Sequence, residues 1–258
     1  MKQFVLFQMW EPSRKSFIAV HEFYVTQANK RLLAQFKDIE TEARKAAEHW
    51  LEDNNHRFDP DRHDPGSFYE QAHDIEIEFY QLLSGMHNTT RLSVVAGMYH
   101  EWDKQFRDWM ITEVNHWHHG NHTEAKIWSV DFGKIAELFK SLGWNIQSKS
   151  YFRKLDACRL VINIYKHGKG KSLEELKKKY PEYLRNPYGT FGDDFFELDF
   201  LDHTHLSITD AHVEEFSSAI TGFWEDVPKT ILKSQDFIVP NWLESAILKD
   251  LNSRTISK

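Results

Sequence analysis

Apolar side chains return every three or four positions from Phe17 to Trp50: Phe17, Val20, Tyr24, Ala28, Leu32, Phe36, Ile39, Ala43, Ala46 and Trp50. That spacing is the 3.6-residue period of an α-helix with one side turned to a core. The stripe predicts one helix of about ten turns. Its other face carries Lys30, Arg31, Lys37, Glu40, Glu42 and Lys45. Breakers are few, with 11 Gly and 7 Pro in 258 residues, which favours long helices over many short strands.

The same period organises most of the chain. Residues 53–66 hold two Pro and a Gly among polar residues and read as a loop. A helical pattern continues over 67–118, compatible with one helix or with two broken near Gly85–Asn88, where Asn88, Thr89 and Thr90 offer an N-cap. Either version runs antiparallel to the first helix. Shorter helices are predicted from Asp131 to Leu142 with a Gly143 C-cap, and from Ser150 to His167 before Gly168 and Gly170. Another starts at Ser172, where Glu175 three residues on suggests a capping box, and ends at Pro181. Residues 185–207 read as loop with a short hairpin. A helix from Thr209 or Asp210 to about Leu232 and a last one from Pro240 to Leu251 complete the chain. Residues 3–10 read as a strand or extended arm. The expectation is an all-α bundle of long antiparallel helices with short C-terminal helices and minor β decoration, forming one domain over 1–258.

Composition removes several function classes. The net charge of −7 argues against a broadly basic nucleic-acid-binding surface but leaves room for a local basic patch. One cysteine, Cys158, excludes an intramolecular disulfide and fits a reducing cytoplasm. The start MKQFVLFQMWEP is too short and too interrupted for a signal peptide, and no stretch of 18 uncharged apolar residues points to a membrane. Gly-x-Ser-x-Gly and Gly-x-Gly-x-x-Gly are absent, which disfavours serine hydrolases and dinucleotide enzymes. GKGKS (168–172) lacks the spacing of a Walker loop.

The most informative segment is 151–185. On a helix, Arg159, Asn163 and Lys166 or His167 share a face, with Asp156 one turn earlier. Leu155, Val161, Ile162 and Ile164 supply burial elsewhere. A polar stripe on an otherwise apolar helix needs partners: a polar network, a dimer mate or a phosphate. Arg and Lys donate to phosphate, and His moves protons near neutral pH. The plainer reading is a helix C-terminus with Lys and His placed favourably at its negative end.

Arg159, Asn163 and the run Lys166-His167-Gly168 resemble the arginine-to-histidine motif of HEPN domains, all-helical domains of prokaryotic toxin–antitoxin, abortive-infection and phage-defence systems. Many members of that family are dimeric, metal-independent endoribonucleases that need no cofactor. The resemblance spans a core of about 67–180, leaving a C-terminal helical extension of about 185–252. It implies that Arg159 binds the scissile phosphate, His167 acts as general acid/base or positions the ribose 2′-hydroxyl, and Asn163 orients one of them. Glu101 on the preceding long helix is a weaker match to an acidic residue of the family. The interval from Arg159 to His167 is longer than the family's usual one. Lys166, Lys169 and Lys171 supply the local positive charge for RNA. A homodimer and a cognate antitoxin or defence-system partner are implied as well.

Two alternatives stand beside this reading. One is a non-enzymatic helical protein acting through a dimer or partner interface. The lesser one is a His-rich metal-dependent hydrolase, resting on His116, His118, His119 and His122, with Glu113 and Glu124 nearby. No HExxH or paired Cys supports a metal site, and the four imidazoles read mainly as groups at a helix C-terminus.

Overall fold

The computed structural model describes residues 4–59, 61–185, 200–233 and 238–256. Over these the chain is all-α. In order it forms β1 (Val5–Gln8), α1 (Glu11–Arg31), α2 (Ile39–Asn54), α3 (Pro65–Val114), α4 (Asn121–Ser129), α5 (Phe132–Ser141), α6 (Phe152–His167), α7 (Lys171–Lys179), α8 (Asp210–Asp226), β2 (Thr230–Leu232) and α9 (Asn241–Ile256). The two strands pair antiparallel, with Val5 opposite Leu232 and Gln8 opposite Thr230. Most of the hairpin expected at 185–207 lies outside the described residues. At its edges an isolated antiparallel bridge joins Leu184 to Leu206.

The axis of the structure is α3, 50 residues and therefore about 75 Å long. Asp64 caps its N-terminus by accepting from the Ser67 amide, and Pro65 sits where no amide donor is needed. The helix passes through Gly85–Asn88 unbroken. Gly85 is solvent-exposed, and the side chains that could cap a second helix are used otherwise. Thr90 Oγ1 donates back to the Met86 carbonyl and Ser93 Oγ to that of Thr89. Asn88 donates to the Leu206 carbonyl and accepts from the Ile208 amide, pinning the chain that leads into α8.

The ten-turn first helix is not formed. The chain breaks after Arg31, makes a 3-10 turn over Leu33–Phe36 and restarts as α2. No Gly or Pro marks the break. Its cause is tertiary: Leu33 enters the core and Phe36 stacks on His87 of α3 at 4.6 Å. Both halves still run antiparallel to α3, since Tyr24 bonds the Val94 carbonyl while Trp50 packs on Phe68. The buried side of α1 matches the expected stripe only at Phe17 and Ala28. Its most buried residues are Arg14, His21, Val25 and Ala28, whereas Val20 and Leu32 are each 49% exposed.

The core is one apolar cluster reaching from Leu6 to Leu243. At its centre Trp102, Phe106 and Trp109 of α3 meet Phe132, Phe139 and Phe223, with Phe106 and Phe223 edge-to-face at 4.9 Å. Two buried arginines close helix ends around it. Arg14 donates to the carbonyls of Trp224, Glu225 and Val227 at the end of α8. Arg107, paired with Asp103 at 2.8 Å, donates to those of Ile127, Trp128 and Val130 at the end of α4. A guanidinium supplies several fixed donors, which suits a set of orphan carbonyls.

Three local expectations are corrected. Helix α8 stops at Asp226, ahead of Pro228, and the chain then forms β2, because Ile231 is needed opposite Phe7. The box at Ser172 does not form: α7 starts at Lys171 with Gly170 as N-cap and no side-chain cap. The four imidazoles do not share a helix C-terminus: α3 ends at Val114, and His122 lies in the first turn of α4, a helix that the sequence pattern does not suggest.

Candidate functional site

Helix α6 buries Leu155, Ala157, Cys158, Leu160, Val161, Ile162 and Ile164. At 100° per residue, Arg159, Asn163 and Lys166 lie within an arc of roughly 60°, bordered on one side by the buried Leu155 and Ile162. Asp156, although buried, begins the same face. Arg159 reaches Asp156 Oδ1 with Nε at 3.1 Å and Nη2 at 2.7 Å, and lies 3.8 Å from Glu175 of α7. Tyr180 donates to Asp156 Oδ2 at 3.0 Å, and Lys179 bridges Glu175 and Asp156. Burial alone would lower the Arg159 pKa, but Asp156 and Glu175 more than compensate and hold the cation. Its side chain remains 28% exposed, so it is braced without being sealed off.

The facing side of α3 contributes Ser93, Tyr99, His100 and Asp103. Ser93 Oγ lies 2.9 Å from the Tyr165 hydroxyl, fixing the register of the two helices. Tyr99 is buried, and its hydroxyl pKa is pushed up mainly by that burial. His100 is the member of this seam that sequence reasoning missed. Burial lowers its pKa, Lys166 lowers it further, and Asp103 opposes them without reversing the shift. The side chain itself is solvent-exposed near Lys166 at the cationic end of α6. A signal for it exists in the sequence: Ser93, His100, Asp103 and Arg107 recur at helical spacing.

The other predicted residues scatter. Glu101 is solvent-exposed, accepts from Gln105 at 3.3 Å, and lines a groove with Val20 and Tyr24 of α1, away from Arg159. His167 is solvent-exposed at the end of α6, eight residues and about 12 Å along the axis from Arg159. Lys166, Lys169 and Lys171 are exposed around it. Gly168, with φ of 70°, turns the chain out of α6 in the left-handed region that favours glycine. Cys158 is fully buried and its thiol pKa is raised by that burial, so it is packing.

The histidine cluster is drawn apart. His116 is exposed and 3.7 Å from Glu113. His118 is buried and its Nε2 lies 3.1 Å from Asp250 Oδ2 of α9. Asp250 also accepts from the amides of His122 and Thr123 and from the Thr123 hydroxyl. The carboxylate therefore caps α4 from 127 residues away. Burial works against its charge, yet the Thr123, His118 and His122 donors hold its pKa down at about 2. His119 is exposed. Among the described residues, no three His, Cys, Asp or Glu side chains are placed to hold a metal ion.

No protein-family model, curated protein or solved structure matches this chain. Among the described residues, no helix is long and apolar enough to cross a membrane.

Proposed function

We propose that the chain is a HEPN-like, metal-independent ribonuclease of the defence or toxin type, acting in the cytoplasm through the polar face of α6. The observation that carries the reading is that Arg159, Asn163 and Lys166 share one face of a largely buried helix, with Arg159 braced by Asp156 yet still 28% exposed. In the reaction, the ribose 2′-hydroxyl attacks phosphorus and the 5′-oxygen leaves. A base takes the 2′ proton and an acid returns one to the leaving oxygen. Arg159 stabilises the charge on the five-coordinate phosphorus. His167 moves the protons, and His100 is a second imidazole suited to the task. Because His167 stands about 12 Å from Arg159 within one chain, the reading requires a symmetric dimer that sets His167 of one copy beside Arg159 of the other. A cognate antitoxin or defence-system protein would restrain such an enzyme.

One observation favours a non-enzymatic reading. Arg159 is already engaged by Asp156 and Glu175, as a purely structural arginine would be. In that case the face docks a partner. The two readings separate when purified protein meets labelled tRNA and mRNA in chelator, beside His167→Ala, His100→Ala and Arg159→Ala. Cleavage by the wild type, lost in Arg159→Ala and His167→Ala with the fold intact, supports the nuclease. No cleavage by a folded wild-type dimer sinks it in favour of partner binding.

A further inference from the structure

The α6 end is joined to a large cleft whose walls come from distant parts of the chain. The cleft has a volume of about 970 Å³ and lies between α2, α3 and the segment Thr204–Ser207. That is the upper end of the range for ligand sites. Its walls carry Arg44 from α2, Tyr80 and Arg91 from α3, and Arg185 and His205 from the C-terminal side. Arg91 is engaged by Asp210 at 2.7 Å and also faces the Ile208 carbonyl, so it braces the wall. Arg44 and Arg185 are exposed, and among the described residues neither has an ion-pair partner. Tyr80 is 44% exposed on the same wall.

The link to α6 is short. The His203 ring stands 3.5 Å from where a Cβ would project from Gly168, directly after His167. His203 belongs to the 3-10 turn His203–His205, whose last residue lines the cleft and whose carbonyl accepts from the Arg185 amide. A track of cationic or protonatable groups therefore runs from Lys166, His167 and Lys169 over His203 to His205, Arg185 and Arg44. Its walls are pinned by the two hydrogen bonds of Asn88. Acidic groups are present too. Asp202 Oδ1 lies 3.0 Å from His205 Nδ1, Asp210 holds Arg91, Glu76 lies 3.6 Å from His73, and Glu40 stands on the α2 rim.

We propose that this cleft holds a single strand of RNA, extending away from the α6 end, with Arg44 and Arg185 on phosphates and Tyr80 stacked on a base. This rests on the RNA reading of α6 and adds to it the path of the strand. A basic groove with an aromatic platform is the usual means of holding a single strand without sequence preference. Continuity with the α6 patch favours a strand over a small phosphorylated molecule, which would need the cleft alone.

The test uses the full-length chain carrying His167→Ala, so that binding is read without cleavage. Fluorescence anisotropy follows a labelled single-stranded RNA of about twelve nucleotides across a salt series. Arg44→Ala with Arg185→Ala is expected to weaken binding roughly tenfold at low salt and to flatten the salt slope by about 0.7 for each phosphate no longer neutralised. Tyr80→Ala should weaken binding with little change in slope. Glu40→Gln should tighten it. An unchanged affinity in the double arginine variant, no binding by the parent, or full displacement by millimolar ATP would overturn the proposal. Failure of the nuclease reading looks different: the RNA binds in the cleft but the wild type never cuts it.

Discussion

Asp250 makes the sharpest prediction because one carboxylate serves four donors. Asp250→Ala leaves the His122 and Thr123 amides of α4 without their cap, and the Thr123 hydroxyl and His118 Nε2 buried beside a void. Losing a helix cap costs about 1 kcal/mol. A buried donor left unsatisfied adds about 1–3 kcal/mol. Water will reach the part-buried His122 amide, so the sum is set at about 3–4 kcal/mol. For a chain of this size that corresponds to a drop in melting temperature of about 6–7 °C. Urea unfolding followed by tryptophan fluorescence measures the loss, and hydrogen exchange locates it. Protection should fall first in α4 and α9 and last around Trp102 and Phe106. Asp250→Asn keeps the shape and one acceptor, so it should lose about half as much. Gly120 supplies an independent check. Its φ of 174° is ordinary extended backbone, but a Cβ there would overlap the Asp250 carboxyl, so Gly120→Ala should displace the same group. Combined with Asp250→Ala it should cost much less than the two separately. A loss below about 1 kcal/mol for Asp250→Ala, or additive effects of the pair, would refute the clamp.

Arg14→Ala removes the donor shared by three carbonyls at the end of α8 and should cost about 3 kcal/mol in urea unfolding. Arg14→Lys should recover only part of that, since an ammonium cannot span the three; full recovery would show that charge alone matters. His21, His87, His100 and His212 all have pKa values lowered from 6.5, first of all by burial. The unfolded chain therefore binds more protons than the folded one just below 6.5, and stability rises with pH in that window. The urea midpoint should be higher at about pH 7.5 than at about pH 5.5, with no further gain above neutrality; a flat or inverted profile contradicts the assignment. The Asp250 contribution is present above the ordinary carboxylate value of 3.8 and is lost as pH falls towards 2, so Asp250→Ala should flatten acid unfolding in that range.

Much of the architecture was legible because helical periodicity is a local property. Scarce Gly and Pro, the stripes along α2, α3, α5 and α6, and the turns at Gly143 and Gly168 are written in neighbouring residues. So was the polar face of α6, since Arg159, Asn163 and Lys166 are fixed relative to one another by the helix itself. Features that depend on a distant partner were not legible. The first helix breaks without a breaker because Phe36 finds His87. The buried side of α1 was hidden because it contains Arg14 and His21, polar residues whose partners Trp224 and Ser217 lie some 200 positions away. Nothing local marks the start of α4, which Asp250 caps from α9. The same holds for function. Sequence alone offered Glu101 to Arg159, but a helix can turn only one side towards α6, and that side carries His100 and Asp103. It also grouped four histidines by proximity in the chain, whereas burial divides them: His118 is locked on a carboxylate, and His116, His119 and His122 are left on the surface. Local spacing determined which side chains travel together; only the packing of α3, α6 and the C-terminal segments decided which of them meet.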